Sequence, residues 1–327
     1  MNEIRQGTRH SSARRVAAVT VVLVAGCQEE GLPHFGTLRY ESEEFEVWAS
    51  DGLETCGGTF EYVEDWLAGF HERVGGHATP AKHTFYWLSP EEYDRDICPV
   101  GIACAYPRSN VIYSTIIPYE HEIVHTELDA RPPSILLEGA AEVFGSIEPP
   151  FTIEVADLEP LLDADQISGY GYTTAGRFSR FIIERHGLDA YFELYTALDG
   201  AKGRDAIAAG VEEVLEVRLP ELVSDFEQSS PCSVDRWRYF DRECSTLPLT
   251  PWQSTALWTD VIDLSCAAHD VIGPRRELVW TRRALAVEQT GSYELTLEST
   301  DPTAQVTIFA CDVSCFDGQP NSVLPTT

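Results

Sequence analysis

At 327 residues the chain can bury one large core or two medium ones, and at about 100 to 200 residues per domain two domains is the default. Hydrophobic residues at 43%, aromatic at 10% and charged at 23% exclude a disordered or collagen-like chain. Against 53 Asp+Glu stand only 23 Lys+Arg, and a net charge of −30 repels phosphate backbones and anionic lipid heads, which excludes nucleic acid as a partner.

Residues 1–15 carry Arg5, Arg9, Arg14 and Arg15, and the apolar run VAAVTVVLVA follows at 16–25. This is the charged and apolar pattern of a secretory signal peptide over 1–26, too short to span a membrane. The segment VAGC at 24–27 resembles the lipobox of bacterial lipoproteins, which implies that Cys27 is the first mature residue and is diacylated. The expectation is export, with a lipid anchor in the bacterial cell envelope, at the outer membrane or cell surface. If the segment is an ordinary signal peptide, the chain is secreted. Removing 1–26 takes away four Arg and one Glu, so −30 becomes −33. No other apolar run approaches 18 residues, which leaves the lipid at Cys27 as the only expected membrane attachment. Residues 27–39 read as a tether.

Eight cysteines remain after Cys27: Cys56, Cys98, Cys104, Cys232, Cys244, Cys266, Cys311 and Cys315. The even number suits an oxidising compartment. Cys98 with Cys104 and Cys232 with Cys244 bracket short segments and are the expected local bridges, while the pairing of the other four stays open. No CxxC pair is present, so a thiolate metal site is disfavoured.

Residues 40–230 are expected to form an α+β domain. Strand patterns stand at 44–50, 83–89 and 110–115, and Phe60, Val63, Leu67, Phe70 and Val74 recur at helical spacing between Thr59 and Gly75. From 118 to 229 the pattern is helical, with segments at 118–128, 134–144, 173–186, 188–198, 205–215 and 219–226. Residues 231–327 read as a small all-β, sandwich-like domain built from WTDVIDLSC, ELVWTRRALAVEQ, SYELTLES and AQVTIFAC. GSYELTLES and VTIFAC resemble the β-sandwich modules that follow secreted bacterial peptidases.

The chemistry concentrates in HEIVHTELDARPPSILLEGAAEVFG, residues 121–145. His121 and His125 are four residues apart, so a helix projects both imidazoles from one face, where they can bind one Zn²⁺ with Glu122 beside them as a base toward water. A catalytic site needs a third protein ligand. Pro132-Pro133 breaks the chain, Ser134 can cap a second helix, and LLEGAAE sets Glu138 and Glu142 on one face of it. Glu138 can close a His-His-Glu site, and Glu142, one turn on, can fix the tautomer of a ligand His. Both glutamates can also be read as solvent-facing, above an apolar face of Ile135, Leu136, Ala140, Val143 and Phe144.

The HExxH, the Pro-containing loop and the L-x-EG-x-AE segment from Leu136 to Glu142 resemble the gluzincins, the zinc metallopeptidases whose third ligand is a Glu on a following helix. The nearest likeness is to the peptidase MA-like subgroup. The resemblance implies a zincin-like domain with one catalytic zinc at His121, His125 and Glu138, Glu122 as general base and Glu142 behind the ligands. It covers 110–145 well and 170–187 loosely. GYGYTTAGRFSRFIIERHG at 169–187 resembles the helix that carries a Tyr in related peptidases, so Tyr172, or else Tyr170, can support the oxyanion. In zincins a strand placed like NVIYST, 110–115, often holds the substrate backbone by strand addition, although a plain core strand is an equal reading. The chain departs from the pattern in lacking GxMEN, the amine anchor of exopeptidases, and in a shorter interval between His125 and Glu138. Metzincins are excluded by Leu128 and Arg131, where Gly and His would stand, and by Met1 being the only methionine. His186 reads as a cap at a helix C-terminus, and Asp163 and Asp165 lack a calcium-loop pattern.

The function expected is therefore a lipid-anchored zinc metalloendopeptidase acting on peptides or proteins. The rival is a non-catalytic surface lipoprotein, a degenerate peptidase fold serving in binding or adhesion.

Overall fold

The computed structural model describes residues 32–79, 81–93, 97–98, 101–145, 156–229, 249–252, 259–275, 278–287 and a few isolated positions from 296 to 316. The chain divides into two units, Met1–Pro33 and His34–Thr327, and of the first only Leu32 and Pro33 are described. Cys27 and the signal segment lie outside the described residues, as do Cys232, Cys244, Cys311 and Cys315. Among the described residues no helix is long and apolar enough to cross a membrane.

Among the described residues the fold is mixed α/β, with one mixed five-stranded sheet and eight helices, and it fits the α+β class. The sheet is ordered β1 (Thr37–Glu41), β2 (Phe45–Ala49), β3 (His83–Trp87), β5 (Val111–Ser114) and β4 (Ala103–Tyr106). β2, β3 and β5 are parallel, whereas β1 and β4 run antiparallel to them at the two edges. β1 opens at Thr37, so the last residues of the tether segment enter the sheet. β5 pairs on both sides, which corrects the reading of 110–115 as a strand free to take a substrate: the edge at that end belongs to β4.

Between β2 and β3 lies α1 (Thr59–Val74), whose Tyr62, Val63, Trp66, Leu67, Phe70 and Val74 are buried at the spacing read in the sequence. Fully burying a large apolar side chain contributes roughly 1.5–3 kcal/mol, and Trp66 and Phe70 stack at 5.3 Å between ring centres. Thr59 does not cap this helix. Gly58 is the N-cap, and the Thr59 hydroxyl bonds the backbone of Gly273 instead.

After the sheet come α2 (Glu120–Glu127), α3 (Ser134–Gly145), α4 (Leu158–Leu161), α5 (Gly171–His186), α6 (Leu188–Ala197), α7 (Gly203–Leu215) and α8 (Leu219–Gln228). Ser134 is the first residue of α3, and its hydroxyl donates to the Asp165 carbonyl (2.6 Å), not to a capping bond. Residues 134–145 and 171–186 together bury Ile135, Leu136, Phe144, Phe178, Phe181 and Ile182 in the main core.

Among the described residues past 248 are β6 (Leu249–Trp252) paired with β9 (Ala284–Val287), and β7 (Ile272–Arg275) paired with β8 (Leu278–Trp280). The segment read as a strand at 258–266 is not one over its described residues. Asp263 accepts the Ser265 N–H (2.9 Å) and hydroxyl, and Val261 is 95% exposed, so local turn bonds have displaced the ladder. Two disulfides are described, Cys98 with Cys104 and Cys56 with Cys266, the second spanning 210 residues.

Candidate metal centre

From β5 the chain runs through buried Ile116 and Ile117 into α2, and all eight residues of that helix are buried. A helix puts residues four apart on one face, and His121 and His125 share a face with rings 4.9 Å apart. The Pro132-Pro133 break returns the chain as α3, whose first free N–H groups, on Leu136 and Leu137, bond the Pro133 carbonyl. Two glycines let α3 close on its neighbours. A Cβ on Gly145 would lie 2.6 Å from the Glu120 carbonyl oxygen, and one on Gly139 would lie 2.7 Å from that of Ala175 on α5.

That close packing brings Glu138 to the histidines. Its Oε2 stands 3.2 Å from His121 Nε2 and 3.3 Å from His125 Nε2, and the three donor atoms all lie within 4.8 Å of one another. His121, His125 and Glu138 can therefore hold a metal ion. On the other side of the His121 ring, Nδ1 is 3.2 Å from Glu142 Oε1. One imidazole thus faces Glu138 with one nitrogen and Glu142 with the other.

The electrostatics follow from this crowding. Burial by itself would push the Glu138 carboxyl up, but the charges and hydrogen bonds of His125 and His121 override it and hold Glu138 well below the usual carboxylate range. Burial opposes the charge on His121, yet its bonds to Glu138 and Glu142 carry its pKa well above the ordinary value. Glu122 moves the other way: burial raises it, only partly offset by the two histidines, and it is 8% exposed.

Tyr172 lies on the first turn of α5 with its ring edge-on to His121, 5.8 Å between centres. Its phenol is pushed up by burial and then by the charges of Glu138, Glu122 and Glu142, so it stays protonated as a donor. Tyr170 precedes the helix and is 47% exposed. His186 ends α5 away from the metal group. Burial and Arg185 lower its pKa, which leaves it neutral near pH 7 and unable to act as a charged cap. Asp163 and Asp165 do not converge on an ion: Asp163 accepts the Arg204 N–H (3.0 Å) and Asp165 faces Lys202.

The structure adds residues that pattern reading passed over. Tyr93 has a buried hydroxyl without a hydrogen-bond partner among the described residues, and burial with the neighbouring charge of Glu122 pushes it up to about 12. Arg131, noted in the sequence only for not being His, donates to the carbonyls of Leu128 (2.6 Å), Ala130 (2.9 Å) and His125 (3.1 Å), closing the C-terminal end of α2. Glu120 accepts from Tyr62 (2.6 Å) and Arg275 (2.5 Å), and Glu127 is bonded by His71 (2.8 Å) and His83 (2.5 Å). The available signal was two carboxylates, Glu120 and Glu127, seven residues apart and flanking the two histidines. No protein-family model matches the chain, and no curated protein matches it.

Proposed function

We propose that the chain is a zinc-dependent endopeptidase, exported and anchored through lipid on Cys27. The observation that carries the reading is the approach of both histidine Nε2 atoms to one oxygen of Glu138 at 3.2 and 3.3 Å. Donor atoms about 2.0–2.2 Å from a tetrahedral Zn²⁺ stand about 3.3–3.6 Å from one another, so both His–Glu pairs are already near that spacing, and all three donors lie within 4.8 Å. The gluzincin likeness of 121–145 and a zincin-like domain belong to the same reading, and the disulfides suit an oxidising compartment.

Bound zinc would supply Lewis-acid polarisation of a carbonyl and lower the pKa of water to about 7. Glu122, its pKa raised by burial, accepts the proton of the attacking water and returns it to the leaving nitrogen. The Tyr172 hydroxyl donates to the oxygen on which negative charge develops. Glu142 at Nδ1 holds the His121 ring so that Nε2 is the ligating nitrogen. β4, at the sheet edge next to α2, can take an extended substrate by strand addition.

Zinc content of the purified mature protein, followed by digestion of a peptide library, tests the proposal. One zinc per chain and internal cleavage are expected, with cleavage lost and zinc kept in Glu122→Gln. Zinc without cleavage would favour the non-catalytic lipoprotein, and a chain that takes up no zinc would end the reading.

A further inference from the structure

The N-terminal end of α2 is held by residues far away in sequence. Arg275, on β7 and 5% exposed, donates from Nη2 to the Pro118 carbonyl and to Glu120 Oε2, the latter at 2.5 Å. Glu120 is fully buried and its other oxygen accepts from Tyr62 on α1 at 2.6 Å. Pro118 and Glu120 lie three and one residues before His121, so Arg275 Nη2 sets where the first histidine starts. Trp280 on β8 covers the guanidinium, 5.4 Å from its ring centre.

The segment that delivers Arg275 is fastened to the start of α1. Cys56 N–H bonds the Gly273 carbonyl (2.6 Å), Gly57 N–H that of Cys266 (2.9 Å) and Gly58 N–H that of Val271 (2.9 Å). The Thr59 hydroxyl donates to the Gly273 carbonyl (2.8 Å) and accepts its N–H (3.0 Å). Within this seam lies the Cys56–Cys266 disulfide, with Cys56 1% exposed and Cys266 exposed. One covalent bond, between a buried cysteine and an exposed one, thus fastens the segment that fixes the metal-site helix.

We propose that residues 266–275 form a disulfide-held clamp on α2, with Arg275 as a positioning residue for His121, and that a dithiol reductant loosens the site by opening Cys56–Cys266. One thiolate of the reductant attacks Cys266 Sγ and Cys56 leaves; the second thiolate then displaces Cys266. The reductant ends as a disulfide, and its two electrons and two protons end on Cys56 and Cys266. The metal consequence rests on the zinc reading, whereas the mechanical one stands without it.

The test uses the full mature chain. Backbone hydrogen exchange at 120–127 is compared, without metal, between wild type, a Cys56→Ala/Cys266→Ala double variant and Arg275→Met, which keeps a long apolar stem and removes both Nη2 bonds. Exchange at 120–127 should quicken at least about tenfold in the variants, with α6 unchanged. Zn²⁺ affinity, by competition with a chromogenic chelator, should fall about 10- to 100-fold, as when an outer partner of a ligand is lost. The visible band of Co²⁺ at the site should change in the same variants. If a variant does not fold, dithiothreitol titrations of wild type and of a Cys98→Ala/Cys104→Ala variant, which removes the other described disulfide, supply the comparison. Unchanged exchange at 120–127 with the disulfide open would overturn the clamp, as would equal quickening of α2 and α6, which marks a staple of the whole fold. Faster exchange at 120–127 alone, in a chain that binds no zinc, would uphold the clamp and end the zinc reading.

Discussion

The two sides of α2 carry the same chemical groups in opposite arrangements. On one, His121 and His125 direct both Nε2 atoms at a single oxygen of Glu138, at 3.2 and 3.3 Å. On the other, His71 and His83 divide the two oxygens of Glu127 between them, at 2.8 and 2.5 Å. Glu127 has one short hydrogen bond per oxygen and is 1% exposed, so its needs are met by protons alone. Three donors converging on one another at longer range can share a cation. Two histidines and a glutamate in contact are therefore not sufficient evidence of a metal site: what separates the groups is whether the donor atoms pair off or converge.

The largest expected effect breaks the convergent side. Glu138→Ala or His125→Ala should lose zinc from the purified protein, because two remaining protein donors do not make a tetrahedral site. Metal analysis checks this directly. Stoichiometric zinc in Glu138→Ala, with loss in Glu142→Ala, would exchange the roles of the two glutamates.

Breaking the paired side should act on stability instead. Glu127→Ala leaves two histidines on α1 and β3 without their buried partner, and removing one member of such a group costs about 3–5 kcal/mol. Urea unfolding should register that loss while zinc stoichiometry stays at one per chain. Loss of zinc at unchanged stability would mean that Glu127 serves the metal and that the contrast is false.

How much of this was legible in the sequence depended on range. The i, i+4 spacing of His121 with His125 and of Glu138 with Glu142 is set by helix geometry, so one face could be assembled from pattern alone. α1 was readable for the same reason. β4 was not: ACAY has no alternation and no β-branched residue, and it is a strand because Ala103–Tyr106 pair with Val111–Ser114. Nor could the sequence show that Arg275, 155 positions from Glu120, supports the metal-site helix, or that Cys56 bonds Cys266. At 258–266 apolar alternation suggested a strand, but Asp263 holds a turn there through its own side chain.

A smaller effect sharpens the convergent side by separating binding from turnover. Tyr172 meets His121 through its ring and the carboxylates through its charge environment. Tyr172→Phe should lower kcat about 100-fold with little change in KM, zinc content or melting temperature. Full activity would remove the oxyanion role, and loss of activity together with stability would make Tyr172 a packing residue.

The smallest expected effect is the pH dependence of the paired side. The hydrogen bond to Glu127 raises the His71 pKa above its ordinary value, with burial opposing, so the folded state binds this proton more tightly than the unfolded chain does. Stability from the pair is then fully present below the unfolded value of about 6.5 and is lost as pH rises through the folded pKa. Glu127 has the opposite sign: burial opposes, but the bonds from His71 and His83 lower its pKa, and its contribution is lost as pH falls through that depressed value. The relevant measurement is the difference in melting temperature between wild type and His71→Gln, followed from about pH 5.5 to about pH 8.5. The difference should favour wild type at the acid end of that window and shrink above about 6.5. Taking the difference cancels the proton uptake of His121, which is common to both proteins. A difference that grows with pH would mean that His71 is held neutral in the folded state, and Glu127 would then be paired through His83 alone.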